Sequence, residues 1–248
     1  MKKYILPLFI LLAINLLSCS SDSNDHSNPQ NKDSVGGSLA TFILKGDYLY
    51  VVDDISLNVF SIANVQNPVK VNTVSIGFGI ETLYSLDDYL FIGSQNGMFI
   101  YEITNPENPK KLSATQHFTA CDPVVANHTH AFVTLHSTTN CGSNINVLQV
   151  YDIADLENPM LVHQRGLTYP RGLALIGNNH LAVCDDELKF FSIENPEEPK
   201  LIYSVNTNYK DLIYHNNILF AFGENEITQY QWNADDFSDL KTVSKLTY

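Results

Sequence analysis

The side chains with the clearest chemical potential are carboxylates, cations and tyrosines that stand at or just before the start of short apolar runs. Carboxylates gathered in a concave site can hold a divalent cation, an amine or a sugar. Two carboxyl groups about 5–9 Å apart, one of them desolvated, could instead hydrolyse a glycosidic bond. The set consists of Glu81, Asp122, Tyr169, Arg171, Tyr209, Lys210 and Asp211.

Established catalytic and metal-binding patterns are missing from the sequence. It contains no nucleophile elbow, phosphate-binding glycine loop or Ser/His/Asp signature. His128 and His130 would lie on one face of a strand, with His136 following, but a metal site needs a third ligand beside them. We therefore expect no catalytic residue, metal or cofactor.

A repeated phrase predicts the elements that must position these residues. It consists of an aromatic residue, any residue and Ile, with a Pro several residues later. The aromatic positions are separated by 41, 50, 40 and 39 residues, a period typical of propeller blades. Because they recur at the blade period, we expect these side chains in the core between blades. They are Phe60, Tyr101, Tyr151, Phe191 and Tyr230, and the fifth copy lacks the Pro.

Each repeat contains four short runs rich in β-branched and aromatic residues, separated by turn residues, as strands require. The Pro falls before the fourth run, where an outer edge strand tolerates a missing N–H. The predicted fold is all-β: a five-bladed β-propeller of four-stranded antiparallel blades. No strand is left over, so we expect blade one to close the ring by packing directly against blade five.

The repeats resemble a known family. The pattern Leu-Tyr-Val-Val-Asp-Asp at residues 49–54, Leu-x-Val-Phe-Ser-Ile at 57–62 and Asn-Pro-Val at 67–69 resembles LVIVD repeats, found in bacterial and archaeal surface proteins. The likeness covers about residues 39–246. The third repeat, with Cys121-Asp122-Pro123 and Asn140-Cys141-Gly142, is similar to a version in lipoproteins of that family. The resemblance implies a propeller and carries no established reaction.

The N-terminus reads as a targeting segment followed by a tether. Lys2 and Lys3 precede an apolar run, and Leu16-Leu17-Ser18-Cys19 resembles a bacterial lipoprotein signal. Polar composition predicts a flexible tether after the lipidated Cys19. The predicted parts are a signal peptide at 1–18, the tether at 19–38 and a propeller at 39–248, with repeats at about 39–77, 80–117, 121–167, 171–206 and 209–246.

Strand direction predicts that the carboxylates, cationic side chains and tyrosines named above meet at one end of the ring. We name as the upper face the end at which inner strands begin, and the loops between second and third strands also fall there. A ligand site is therefore expected at the upper mouth of the channel. It would be acidic and would also contain two cationic side chains, Arg171 and Lys210. The acids of the outer loops are attributed to turn formation. They are Asp53, Asp54, Asp185, Asp186, Glu187, Glu224 and Glu226.

Three cysteines remain after Cys19, and export would permit disulfides. Three pairings are possible and the sequence does not choose among them. Cys121 and Cys141 both fall on the upper side of the third repeat, so we expect them to pair, with Cys184 buried and free.

The net charge of −13 excludes nucleic acid as the main partner, because such a surface repels phosphates. The expected function is a monomeric, non-enzymatic binding or scaffold module. We expect it to be anchored through its lipid to the outer membrane, facing the periplasm or the cell surface, and to bind an envelope protein or glycan. The alternative is a glycan-active hydrolase that uses inner-strand carboxylates.

Overall fold

The computed structural model describes residues 34, 36–116, 123–137, 145–233 and 236–248, which belong to one compact unit. They form twenty strands in five antiparallel four-stranded sheets, so the predicted five-bladed β-propeller is confirmed. No helix within these ranges is long and apolar enough to cross a bilayer.

Each blade runs from an inner strand to an outer strand in chain order. The strands of the first three blades are β1 (Phe42–Lys45), β2 (Tyr48–Val52), β3 (Ser56–Ser61) and β4 (Val69–Ser75); β5 (Ile80–Leu86), β6 (Tyr89–Ser94), β7 (Gly97–Glu102) and β8 (Lys110–Gln116); β9 (Val124–Ala126), β10 (His130–Leu135), β11 (Val147–Asp152) and β12 (Met160–Gly166).

Blades four and five complete the series, and their last strand has twelve residues. The remaining strands are β13 (Leu173–Ile176), β14 (His180–Cys184), β15 (Leu188–Ser192) and β16 (Lys200–Val205); β17 (Asp211–His215), β18 (Ile218–Phe222), β19 (Glu226–Asn233) and β20 (Asp236–Thr247).

Consecutive blades are held together by apolar side chains that alternate along their strands. Four buried clusters join blades one to two, two to three, three to four and four to five. Four of the five recurrent aromatics lie in these clusters as predicted, since Tyr101, Tyr151, Phe191 and Tyr230 are at most 6% exposed. Phe60 differs from this prediction, because it is only partly buried and belongs to none of the clusters. In each blade the pairing of the third and fourth strands shifts just before the aromatic residue, because the fourth strand has one extra residue there, and this bulge bends the fourth strand at the same point every time.

The junction of blade five with blade one differs from the other four. Among the described residues, no buried apolar cluster spans it. Phe42 of β1 is 56% exposed, whereas Leu83, which has the same place in blade two, is 0% exposed. The expected closure by direct packing of the two blades is therefore incomplete. Polar contacts of the chain just before β1 bridge this junction instead.

We expect equivalent leucines at a tight and a loose junction to differ in their contribution to stability. Leu90 is fully buried between blades one and two, whereas Leu49, its counterpart in β2, is only partly buried. Leu90→Ala should lower the free energy of unfolding by about 2–5 kcal/mol because it leaves a cavity. Leu49→Ala should cost less than half as much, since its surface is already partly hydrated. Urea denaturation of both variants measures this, and equal losses would contradict the loose junction.

Candidate functional site

The centre of the ring contains a stretch of the chain itself, which we name the channel segment (residues 34 and 36–40). The Ser34 N–H donates to Leu44 O and the Ser34 hydroxyl accepts from Leu44 N–H, which ties this segment to β1. A turn closed by Ala40 N–H and Gly37 O then leads into β1. The spaces left beside the segment have volumes of only about 150 and 70 Å³. The channel segment therefore fills the channel.

Ser38 is the point at which the channel segment joins two other blades. Its hydroxyl donates to Asp211 Oδ1 at 2.9 Å and accepts from the Leu173 N–H at 2.8 Å. The Leu39 N–H donates to Asp211 Oδ2 at 3.3 Å. Ser38 is only 1% exposed. One side chain thus links the start of blade one to the inner strands of blades four and five.

Two glycines allow the Asp211 carboxylate to come this close to the backbone. A Cβ atom at Gly37 would collide with Asp211 Oδ2, and one at Gly172 would collide with Oδ1. Both positions therefore require glycine for space. The small residues of this part of the chain serve close packing around one carboxylate.

Burial of Asp211 has an electrostatic cost. Desolvation raises the pKa of its carboxyl group to about 6, although hydrogen bonds from Leu212, Ser38 and Leu39 oppose that shift. Burial disfavours the charged form more strongly than the hydrogen bonds from these three residues favour it. The carboxylate that joins the blades is thus a group that gains a proton near pH 6.

The predicted residues at the upper mouth are engaged with partners inside the protein. Glu81 Oε1 accepts from Gln95 Nε2 at 3.0 Å. The Arg171 guanidinium donates to Asn208 Oδ1 and lies over the Tyr169 ring, 5.7 Å from its centroid. Each of these contacts lies where an inner strand begins, as predicted.

Two of the predicted residues differ from their expected setting at the mouth. The Tyr209 side chain is 3% exposed and its hydroxyl lies 2.7 Å from that of Tyr230, so it belongs to the core between blades four and five. Asp211 is largely buried under Ser38, whereas Lys210 at the rim pairs with Glu224 at 2.5 Å.

Several predictions from the sequence lie outside the described residues, and they stay predictions. These are the ligand role of Asp122, the lipidation of Cys19 and the Cys121–Cys141 disulfide. Cys184 is free and buried, as expected, and burial raises the pKa of its thiol well above its usual value.

The boundary between tether and propeller lies earlier than residue 39. Ser34 and Gly36 already line the space beside the channel segment, and Ser38 is buried. Composition alone indicated a tether to 38, because Ser and Gly are common in linkers. Here these residues are small because they lie among inner strands.

The acids of the upper loops divide into two kinds. Asp53 forms its own turn, as predicted, by accepting from Ile55 N–H and Ser56 N–H, and these bonds lower its pKa. Asp185, in contrast, is 0% exposed and accepts from Tyr169 N–H at 2.5 Å and Lys189 Nζ at 2.6 Å. The sequence did not distinguish this buried residue from its exposed neighbours.

The histidines do not converge on a metal site in the described part of the chain, where no three suitable ligands group together. His128 lies in the turn between β9 and β10, 3.4 Å from Asp87. His136 packs its ring edge-on against Tyr169, with centroids 5.5 Å apart.

An open groove of about 580 Å³ lies on the outer side of the ring, between blades two and three. We name it the lateral groove. β8 forms one wall, and the other consists of β11, the loop before β12 and β12. Sequence reasoning did not find it. Its lining is Ala114, Thr115, Gln116, Gln149, Tyr151, Glu157, Asn158, Pro159, Met160, Leu161 and Gln164.

Short side chains explain why this groove is open. At the junction of blades one and two, Asn72 reaches across from the outer strand to Glu107 O at 2.7 Å. Arg165 does the same from blade three to Pro199 O of blade four at 2.8 Å. By strand register, Ser113 holds the place of Asn72 and Thr115 that of Arg165. Neither side chain is long enough to reach the next blade.

The wall of the groove contributed by blade three is a chain of polar groups. The Tyr151 hydroxyl donates to Gln149 Oε1 at 2.8 Å, and Gln149 Nε2 donates to Gln164 Oε1 at 2.9 Å. Gln149 is 5% exposed, whereas Met160 and Leu161 are 61% and 49% exposed. The groove thus combines fixed polar groups with exposed apolar surface, as ligand sites do.

No protein-family model and no curated protein matches the sequence. Solved structures do match the fold. A functionally unknown protein from Desulfotomaculum acetoxidans is 12% identical with a TM-score of 0.66, over 88% of this chain and 70% of that one. A protein from Lactobacillus plantarum is 13% identical with a TM-score of 0.67, over 81% and 68%.

BamB from Moraxella catarrhalis is also similar, at 13% identity and a TM-score of 0.55, over 73% of this chain and 54% of BamB. At these identities the likeness concerns the fold alone. The chain is thus similar to known β-propellers, whereas the LVIVD resemblance stays a prediction.

The raised pKa of Asp211 predicts how stability depends on pH. Because its folded pKa of about 6 exceeds the ordinary value of 3.8, the folded protein binds this proton more tightly than the unfolded chain. The resulting stabilisation is complete below about pH 4 and is lost as pH rises through about 6. The difference in unfolding free energy between wild type and Asp211→Asn should fall by on the order of 2–3 kcal/mol over this range.

Urea denaturation of both proteins between pH 4 and pH 8 measures that difference. Taking the difference removes contributions from carboxyls whose pKa is lowered, such as Asp155 and Asp236, which act in the opposite direction. A difference that is constant or grows with pH would contradict the assignment.

Proposed function

We propose that this protein is a lipid-anchored binding module of the cell envelope, and that its partner binds in the lateral groove on the outside of the propeller. The observation that carries this proposal is the contrast between two concave regions. The channel is filled by residues 34 and 36–40, whereas the lateral groove is open and lined by polar and apolar side chains. The propeller fold is compatible with a binding or scaffold module.

The setting of the mouth residues supports a site away from the channel. Lys210 is paired with Glu224, and the Arg171 guanidinium bonds to Asn208. A ligand at the mouth would have to compete with these internal contacts. Binding in the lateral groove breaks none of them.

The hydrolase alternative receives less support from the geometry. A glycosidase needs a carboxyl group of raised pKa beside its substrate. Asp211 has such a pKa, but its oxygens contact Ser38 and Leu39 of the chain itself. We therefore propose binding rather than hydrolysis.

Membrane attachment rests on the signal at the N-terminus and is tested separately. Cys19→Ala should abolish incorporation of labelled fatty acid into the protein in growing cells, because the thiol is the site of lipid attachment. Immunoprecipitation of the protein from labelled cells measures this, with Cys184→Ala as control. Labelling of Cys19→Ala at the level of the wild type would contradict the lipid anchor.

Site-specific crosslinking in living cells tests the position of the binding site. Leu161 lines the lateral groove and is 49% exposed, whereas Leu201 has the same place in β16 and is 45% exposed. A photoreactive amino acid at position 161 should give discrete adducts because a partner lies over it. The same amino acid at position 201 should give none above background.

The matched exposure of the two positions controls for nonspecific reaction with crowded envelope components. Adducts that are equal at both positions, or missing at 161, would refute binding in the lateral groove.

A further inference from the structure

The propeller contains an internal example of how such a groove is filled. At the junction of blades three and four, the Arg165 guanidinium lies over the Phe191 ring, 5.1 Å from its centroid. Its Nη1 donates to the Pro199 carbonyl oxygen at 2.8 Å. The guanidinium therefore combines a contact with an aromatic face and a hydrogen bond to the proline turn of the next blade.

The lateral groove repeats this arrangement with a tyrosine in place of the phenylalanine and without the arginine. Strand register pairs Leu148 with Arg165 and Met98 with Thr115, so Thr115 holds the place of Arg165. Tyr151 corresponds to Phe191 and Pro159 to Pro199, and both line the groove. The Thr115 hydroxyl is turned back onto Met98 of its own sheet, at 3.3 Å.

The groove also carries negative charge at the right place. Glu157 lies in the proline turn that lines the groove. Its carboxylate forms no ion pair with a cation among the described residues. The whole protein has a net charge of −13, which favours approach of a cation. Tyr151 is only 4% exposed, so its ring offers an incoming cation little contact area. Oxygen acceptors therefore supply the main attraction for that cation.

We propose that the lateral groove binds an arginine side chain of a partner polypeptide. The guanidinium takes the place that Arg165 occupies at the next junction, donating to the turn of Pro159 and pairing with Glu157. The aliphatic part of the arginine and the adjoining peptide lie on Met160 and Leu161, which are exposed. The planar guanidinium can reach a carbonyl and a carboxylate at once, which an ammonium group does less well. This inference rests on the proposed function and specifies its ligand.

The test uses the full propeller and a capped Gly-Arg-Gly peptide, with binding measured by NMR shifts and calorimetry. We expect shifts at groove residues, and binding weaker by about threefold or more for Gly-Lys-Gly. Thr115→Arg should reduce binding at least about tenfold, because the chain then supplies its own guanidinium as Arg165 does. Glu157→Gln should weaken binding about three- to tenfold through loss of the charge.

Glu197→Gln is the matched control, since Glu197 has the same place in the proline turn of blade four; it should leave binding unchanged. The proposal is overturned if the arginine peptide does not bind, if Gly-Lys-Gly binds as well, or if Glu157→Gln and Thr115→Arg bind like wild type. The Glu157→Gln measurement decides the matter even if Thr115→Arg fails to fold.

Crosslinking separates this inference from the proposed function. If adducts form at position 161 but persist in the Thr115→Arg background, a partner occupies the groove without an arginine, so only the ligand assignment fails. If position 161 gives no adducts and no peptide binds, both proposals fail. If Thr115→Arg abolishes both the adducts at position 161 and the binding of the arginine peptide, both proposals are supported.

Discussion

The hydrogen bond between Ser38 and the Asp211 carboxylate is the contact on which the rest of this structure depends. A single blade cannot bury its apolar faces, so stability requires that every junction in the ring be closed. Four junctions are closed by apolar clusters. The fifth is bridged by Ser38, which contacts β17 through Asp211 and β13 through the Leu173 N–H. A polar residue pair thus holds a junction where apolar packing is incomplete.

This means of closure determines where ligands can bind. The chain reaches Ser38 by passing through the channel, so closing the ring also fills its centre. The rim is then left with side chains whose charges are internally satisfied, as with Lys210 and Glu224. What remains open lies on the outside, where the blades diverge. There the length of a few side chains determines whether adjacent outer strands touch.

The fold could be predicted from the sequence because it depends on local chemistry that repeats. A period near forty, turn residues and alternating apolar runs indicated five blades and nearly all strands. The site could not be predicted equally well. Ser38 lies in a stretch whose composition is that of a tether. Only the close approach of the Asp211 carboxylate explains why position 37 must be glycine. Asp185 and Asp186 are adjacent carboxylates, yet one is buried and the other exposed, which depends on tertiary packing.

The side chain that opens the lateral groove stands at a position that recurs from blade to blade. The residue six places after the proline is Val74, Thr115, Arg165 or Val205 in the first four blades. Nothing about a threonine at this place suggests a site. Its meaning comes from Arg165, whose guanidinium shows which chemical group the scaffold accepts between two blades. Because the repeats share one backbone, a shorter side chain in one of them leaves acceptors that are covered in another. A repeat protein can therefore form a binding site by shortening side chains, without adding a motif.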